Sequence, residues 1–338
     1  MRFAIFDQME AVGRPLHEVY ADRLALLEAA DAAGVWCYFK SEHHYTSLDT
    51  APSISSWLAT VAARTTSLRI GSLVYLLPFH HPIRLYEEIA MLDHLSGGRL
   101  EVGVGRGISP VEHEKWGLEP DLARDRSEET LDVLLAAFGT DALTYQGRFF
   151  EVDNVPLEVR PLQSPHPPMW YPGNIEVAGR RGFNSMTVGN PTTAATMLAR
   201  FTELNEQHAG DPGRVDRGMT PSLGATIRIL LDDDGERALQ RARAAWKHFD
   251  YNITKLWKAA GIHELPNNPS AGGDFDRAVE IGTGFAGTPE ALTERLGALA
   301  DVGVDPVMLC LDWGDIEPSE SRRSLDLLAE RVMPAFSN

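Results

Sequence analysis

Cysteine is nearly missing: Cys37 and Cys310 are the only two in 338 residues, each inside an apolar run, VWCYF and PVMLCLDW. Two thiols so far apart make neither a disulfide framework nor a metal-ligand spacing, and they read as inert core residues of a reducing compartment. Positive charge is scarce as well. Lys and Arg number 31 against 48 Asp and Glu, a formal charge of −17, and no basic run offsets it locally. That balance disfavours polyanionic partners such as nucleic acid. No window reaches the roughly 18 apolar residues that a membrane helix needs. The opening MRFAIFDQMEAVGRP is broken by Asp7 and Glu10 where a secretory signal would be apolar. The expectation is a cytoplasmic protein without a membrane span. Internal repeats of roughly 20–50 residues and low-complexity tracts are absent too, which removes solenoids and arrays.

The chain does hold ordinary globular material, 43% hydrophobic and 23% charged residues. Short apolar, β-branched or aromatic runs lie at 2–6, 35–39, 68–75, 100–104, 168–172, 184–188, 223–230 and 306–312, and each reads as a strand. Longer amphipathic runs alternate with them. In EVYADRLALLEAADAAG, Tyr20, Leu24, Leu27 and Ala30 recur at helical spacing before Gly34 supplies a stop. SISSWLATVAARTT, PIRLYEEIAMLDHLSGG, PTTAATMLARFTELNEQH and PEALTERLGALADVG follow the same pattern. Eight alternations predict a parallel sheet, hence an α/β fold, a (β/α)8 TIM barrel forming a single domain over 1–338. Two stretches break the rhythm. Residues 145–168 predict a hairpin and a proline-rich lead into the fifth strand. Residues 249–283, containing LPNNPSAGGD, are too long for a simple connection and predict a lid or partly mobile insertion.

A barrel keeps its chemistry in the loops after its strands. The second strand is followed by Lys40-Ser41-Glu42-His43-His44-Tyr45. A histidine suits proton transfer near neutral pH, and a neighbouring glutamate would orient or charge-stabilise it. A packed and solvated pair of rings is the alternative. Glu42, His43, His44, His80 and His81 are also potential metal ligands, but the His-x-His of metal-dependent barrels occurs nowhere, and no metal is expected. The fourth strand runs into Gly103-Val104-Gly105-Arg106-Gly107-Ile108, where glycines admit close backbone approach and Arg106 offers a fork for a phosphate. The dinucleotide fingerprint fails, because the third glycine is misplaced and SPVEHEKWG does not open a helix directly. After the fifth strand, Gly173 and Asn174 precede IEVAGRRG and would expose N–H groups to an anion, or Asn174 would simply cap that helix.

The ordered blocks SEHH, GSLVYLLPFHHPIRLYEEIAMLDHLSGGRLEVGVGRG, RPLQSPHPPMWYPG, GTPEALTERL and SLDLLAERVMP span nearly the whole chain. In them the sequence resembles the bacterial-luciferase-like flavin-dependent monooxygenases. The resemblance implies a TIM barrel that receives reduced flavin mononucleotide (FMN) from a separate reductase and uses O2 to oxygenate a small organic substrate. It implies that His43 is the catalytic imidazole, that Arg106 holds the flavin phosphate with Ile108 contributing nearby backbone, and that Gly173 and Asn174 complete the cofactor site. It also implies a non-proline cis peptide, Leu73–Val74, beneath the flavin ring, and a homodimer. Tyr45, Trp170 and Trp313 are then candidate walls of an apolar pocket. Where luciferases carry a cysteine before the phosphate arginine this chain has Gly105, and light emission is not implied. Related barrels leave two alternatives: a dehydrogenase or reductase using the deazaflavin coenzyme, and a flavin-binding protein without turnover.

Overall fold

A parallel sheet covered on both faces draws its strands from near-continuous apolar runs, and the computed structural model builds its strands from such runs. It describes residues 1–211, 214, 218–265 and 268–337. The strands are β1 (Phe3–Asp7), β2 (Cys37–Lys40), β3 (Arg69–Leu76), β4 (Leu100–Gly105), β5 (Ala142–Gln146), β6 (Glu151–Pro156), β7 (Met169–Trp170), β8 (Ser185–Val188), β9 (Leu223–Leu231), β10 (Gly284–Gly287) and β11 (Val307–Cys310). Parallel pairing runs from β1 through β2, β3 and β4 to β7. A parallel bridge between Trp170 and Asn184 then leads to β8, and β8 pairs β9, β9 pairs β11 and β11 pairs β1. These eight are the eight strands expected from the sequence, and the fold is of the TIM-barrel type.

Period-two alternation separates two cores. Phe3, Ile5, Tyr38, Ile70, Val102, Ile227 and Leu309 face the surrounding helices. Ala4, Phe6, Cys37, Phe39, Leu73, Trp170, Leu230, Met308 and Cys310 face inward. Both cysteines are free and buried, and burial pushes their thiols up, Cys310 to about 11. Helix starts follow local chemistry: Pro191 and Pro289 open helices where a missing N–H is no loss, and Asn190 and Thr288 cap them by accepting from Thr193 N and Ala291 N.

The irregular stretches differ in outcome. The hairpin is present as the antiparallel pair β5–β6, outside the parallel sheet. Residues 249–283 are not one long loop. Phe249, Ile253 and Trp257 continue a buried stripe begun by Ala238, Ala242 and Ala245, so the helix Gly235–Ala259 runs through the first third of the stretch. A 3-10 turn at Ala271–Gly273 and the helix Phe275–Ile281 follow, while residues 266 and 267 lie outside the described residues. β10 was not anticipated; it pairs β9 from Arg228 to Leu231, beyond the end of β8. SPVEHEKWG does form a helix, Pro110–Lys115, capped by Ser109. Among the described residues no helix is long and apolar enough to cross a membrane.

Candidate active site

The loop after β2 is pinned from beneath by a buried ion pair. Lys40 Nζ lies 2.6 Å from Asp49 Oδ2, donates to Ser41 O at 2.8 Å and reaches Gln8 O at 3.4 Å. Asp49 Oδ2 also accepts from His43 N at 3.2 Å, so the start of the histidine pair is held by backbone and charge together.

Glu42 does not orient His43, as the sequence suggested, because its carboxylate is engaged elsewhere. It accepts from Leu76 N at 2.8 Å and stands 2.9 Å from His44 Nε2 and 3.0 Å from His80 Nε2. Burial alone would push Glu42 up, but the hydrogen bonds from both imidazoles and from Leu76 overcome it and bring the carboxyl to about 2. His80 is raised in turn: burial pulls it down and Glu42 more than compensates. Glu42 therefore ties the β2 loop to the end of β3.

The carboxylate beside His43 is Glu112, from the short helix Pro110–Lys115. His43 Nδ1 lies 3.6 Å from Glu112 Oε1, and the same oxygen accepts from His44 N at 2.5 Å. Burial would lower the His43 imidazole, yet the charges of Glu112 and Asp49 raise it, against a smaller opposing effect of Lys40. The two rings of the pair face different ways. His43 keeps 21% of its side chain exposed, whereas His44 packs edge-on against Trp116 and Phe79, with ring centroids at 5.2 and 5.7 Å.

All seven residues expected at the site line one cavity of about 510 Å³: His43, Leu73, Val74, Arg106, Ile108, Gly173 and Asn174. The Leu73–Val74 peptide is cis. There the β3–β4 register slips between Ser72 and Tyr75, and Ser72 Oγ donates to Gly103 O at 2.8 Å and accepts from Gly103 N at 3.0 Å in place of the ladder. A Cβ on Gly103 would fall 2.3 Å from Ser72 O, and one on Gly105 would meet Val74 Cγ2 at 3.0 Å. Glycine at both positions lets β4 lie close beneath this floor.

Two arginines of the lining, Arg106 and Arg124 of the helix Pro120–Phe138, stand without an ion-pair partner among the described residues. Both act on Tyr171, whose hydroxyl burial raises and the two arginines partly lower. Ile108 sits at the rim, 61% exposed. Gly173 adopts φ 80°. Asn174 is a helix cap: its Oδ1 accepts from Glu176 N at 3.1 Å and Val177 N at 3.3 Å, so those two donors are taken. Ser41 Oγ, buried in the same lining, has no hydrogen-bond partner among the described residues.

Trp170 and Trp313 are not walls of this cavity. Trp170 is buried in the inner core, donating from Nε1 to Glu101 Oε2 at 2.7 Å, and Trp313 donates to Ile229 O at 3.1 Å. Tyr45, 58% exposed, borders a neighbouring cavity of about 780 Å³. Among the described residues no three His, Cys, Asp or Glu side chains are grouped as metal ligands. Sequence reasoning passed over Glu112, Arg124 and Ser41. Neither a glutamate in a short polar segment nor an arginine on a helix's polar face carries a local signal, although Ser41 stood inside the motif itself.

This floor, arginine pair and loop histidine are carried by a chain that belongs to the luciferase-like monooxygenase family, whose model matches residues 1–306. The chain is 35% identical over 322 residues to the uncharacterized protein y4wF of Sinorhizobium fredii, covering 94% of this chain and 92% of that one. It is 25% identical to the oxygenase component of the flavin-dependent trigonelline monooxygenase of Acinetobacter baylyi, covering 100% and 96%. Its fold matches that of the monooxygenase RslO1 from Streptomyces bottropensis with a TM-score of 0.83 at 25% identity, each chain covered completely.

Proposed function

We propose that the 510 Å³ cavity binds FMN and that the chain is a flavin-dependent monooxygenase, consuming reduced FMN and O2 to oxygenate a small organic molecule. The observation that carries this reading is a single cavity joining two unpaired arginines, an apolar floor and the His43–Glu112 pair. The residues present fit the cofactor. Arg106 and Arg124 would hold the phosphate through charge-assisted bonds. Leu73, Val74 and Gly105 would lie under the ring, and Ser41 Oγ is an orphaned polar atom that a ring heteroatom would satisfy.

When bound, the reduced flavin supplies the electrons that activate O2. The protein's part is local. Leu73, Val74, Leu76 and Met186 give the cavity its apolar lining, which would exclude water around the bound ring. Glu112 engages His43 Nδ1, which leaves Nε2 as the nitrogen that holds or moves a proton beside the reacting atoms. Asp49, holding His43 N, fixes where that ring begins.

A separate reductase supplying the flavin fits the trigonelline relative's being named an oxygenase component, and the free buried thiols fit a cytoplasmic setting. The family resemblance implies a homodimer, and Met91 and Leu95, exposed one turn apart on the helix Pro82–Leu95, are apolar surface that a second copy would cover. The test of the function is titration of reduced FMN and the deazaflavin coenzyme, with oxygen uptake followed. FMN binds more tightly and its reduced form accelerates uptake. The reverse order of affinity would assign hydride exchange with deazaflavin, and tight FMN binding without oxygen consumption would assign a flavin holder.

A further inference from the structure

Among the described residues, the buried Lys and Arg side chains come with carboxylates, with one exception. Arg23 is held by Asp7 at 3.1 Å and Asp312 at 2.7 Å, and Lys40 by Asp49 at 2.6 Å. Arg228 is 5% exposed and has no carboxylate within ion-pair distance among the described residues. Its strand neighbours Ile227 and Ile229 face the outer helices, so Arg228 points inward with Leu230. Its Nη2 donates to the neutral amide oxygen of Gln8, its guanidinium lies 3.9 Å above the Phe249 ring, and its Nε has no partner. Glu10, an acid that acts on it from further off, accepts instead from Asn252 Nδ2 at 2.9 Å and Gly314 N at 3.1 Å. A buried charge met at contact distance by an amide and a ring face, with Glu10 acting only from further off, is unfavourable until an anion joins it.

The position of Arg228 points to which anion. Asp7 is in register with Lys40, so Gln8 and Ser41 follow side by side at the ends of β1 and β2. Ser41 lines the flavin cavity and carries another buried polar atom without a partner among the described residues. Arg228 meets the Gln8 side chain, and Lys40 Nζ reaches both Gln8 O and Ser41 O, so Arg228 stands two strand ends away from the residue that lines the cavity. The phosphate arginine leaves β4, separated from β9 by β7 and β8. We propose that Arg228, with Gln8, is the subsite for a carboxylate of the substrate, so that the molecule oxygenated is an organic acid. This rests on the reading of the neighbouring cavity as the flavin site.

The test titrates benzoate and benzamide, probes of equal size, into FMN-loaded wild type, Arg228→Met and Arg228→Lys. Wild type binds benzoate at least about tenfold more tightly than benzamide, a difference equivalent to roughly 1.4 kcal/mol. Arg228→Met loses the preference and Arg228→Lys keeps part of it. Without ligand, Arg228→Met unfolds at a higher temperature than wild type, because an uncompensated charge has gone. Equal binding of the two probes, no binding of either, a preference that survives in Arg228→Met, or a less stable Arg228→Met overturns the proposal. FMN affinity is measured in parallel. Unchanged affinity in the variants separates the acid subsite from the flavin site. If wild type fails to bind FMN, the flavin reading falls, while the same titration on flavin-free protein still decides the acid subsite.

Discussion

His43 Nδ1 and Glu112 Oε1 face each other at 3.6 Å, and the same oxygen receives the His44 N–H at 2.5 Å. One carboxylate thus fixes the backbone of one histidine and the charge of the other. Because Glu112 raises the His43 imidazole, Glu112→Gln shifts the imidazole's titration toward lower pH. The limb of the turnover profile that requires protonated His43 moves acidward with it, and turnover falls less than on removal of the ring. A pH profile of kcat/KM for wild type and Glu112→Gln measures this; an unmoved limb would show that the pair is structural.

Arg106 and Arg124 predict a phosphate-selective loss. A charge-assisted hydrogen bond contributes on the order of 1.5–3 kcal/mol, or roughly 10- to 100-fold in affinity. Arg106→Ala and Arg124→Ala each weaken FMN by about that factor and leave riboflavin nearly unchanged, as read by fluorescence titration. Equal losses for both ligands would assign the arginines to the loops that carry them.

The glycines of β4 predict a steric ranking. A methyl on Gly103 would meet the Ser72 carbonyl at 2.3 Å, whereas one on Gly105 would meet a side-chain methyl at 3.0 Å. Overpacking typically costs about 1–3 kcal/mol and more where backbone must move. Gly103→Ala therefore destabilises by about 3 kcal/mol or more, and Gly105→Ala by less while still loosening flavin binding. Urea unfolding of both variants checks the order.

Glu10 predicts how stability depends on pH. Burial raises it to about 7, opposed only in part by Asn252, Gly314 N and Arg228. The unfolded chain ionises this carboxyl first, so its contribution is fully present below its ordinary value of 4.5 and is lost as pH rises toward about 7. The loss is about 3 kcal/mol across that window. Glu10→Gln flattens this part of the curve in denaturant midpoints measured from pH 4.5 to 8.

Eight of the nine strands of the sheet were legible because parallel strands are apolar on both faces and end at turn residues. β10 was not: GFAG holds two glycines and an alanine, and pairing with β9 alone makes it a strand. The first third of 249–283 was not read as helix, although Phe249, Ile253 and Trp257 keep the buried stripe of the helix Gly235–Ala259. At the site, the histidine loop and the glycine-arginine turn are local patterns and could be read. The partnership of His43 with Glu112 joins a loop and a short helix distant in sequence and appears only once β2 and β4 are folded beside β3. Arg228 did leave a trace, a lone cation inside LGATIRILL.

The central claim is that His43 manages a proton in an oxygenation and that His44 serves structure. Single-turnover stopped-flow with reduced FMN and O2, with product and hydrogen peroxide quantified at the end, tests it on wild type, His43→Ala and His44→Ala. Positioned proton transfer contributes roughly 10²- to 10⁴-fold to rate. His43→Ala should keep FMN binding within a few-fold, lose product by that order and release peroxide instead, while His44→Ala retains far more product at equal stability. Unchanged product formation in His43→Ala, or a larger kinetic defect in an equally stable His44→Ala, would contradict the account.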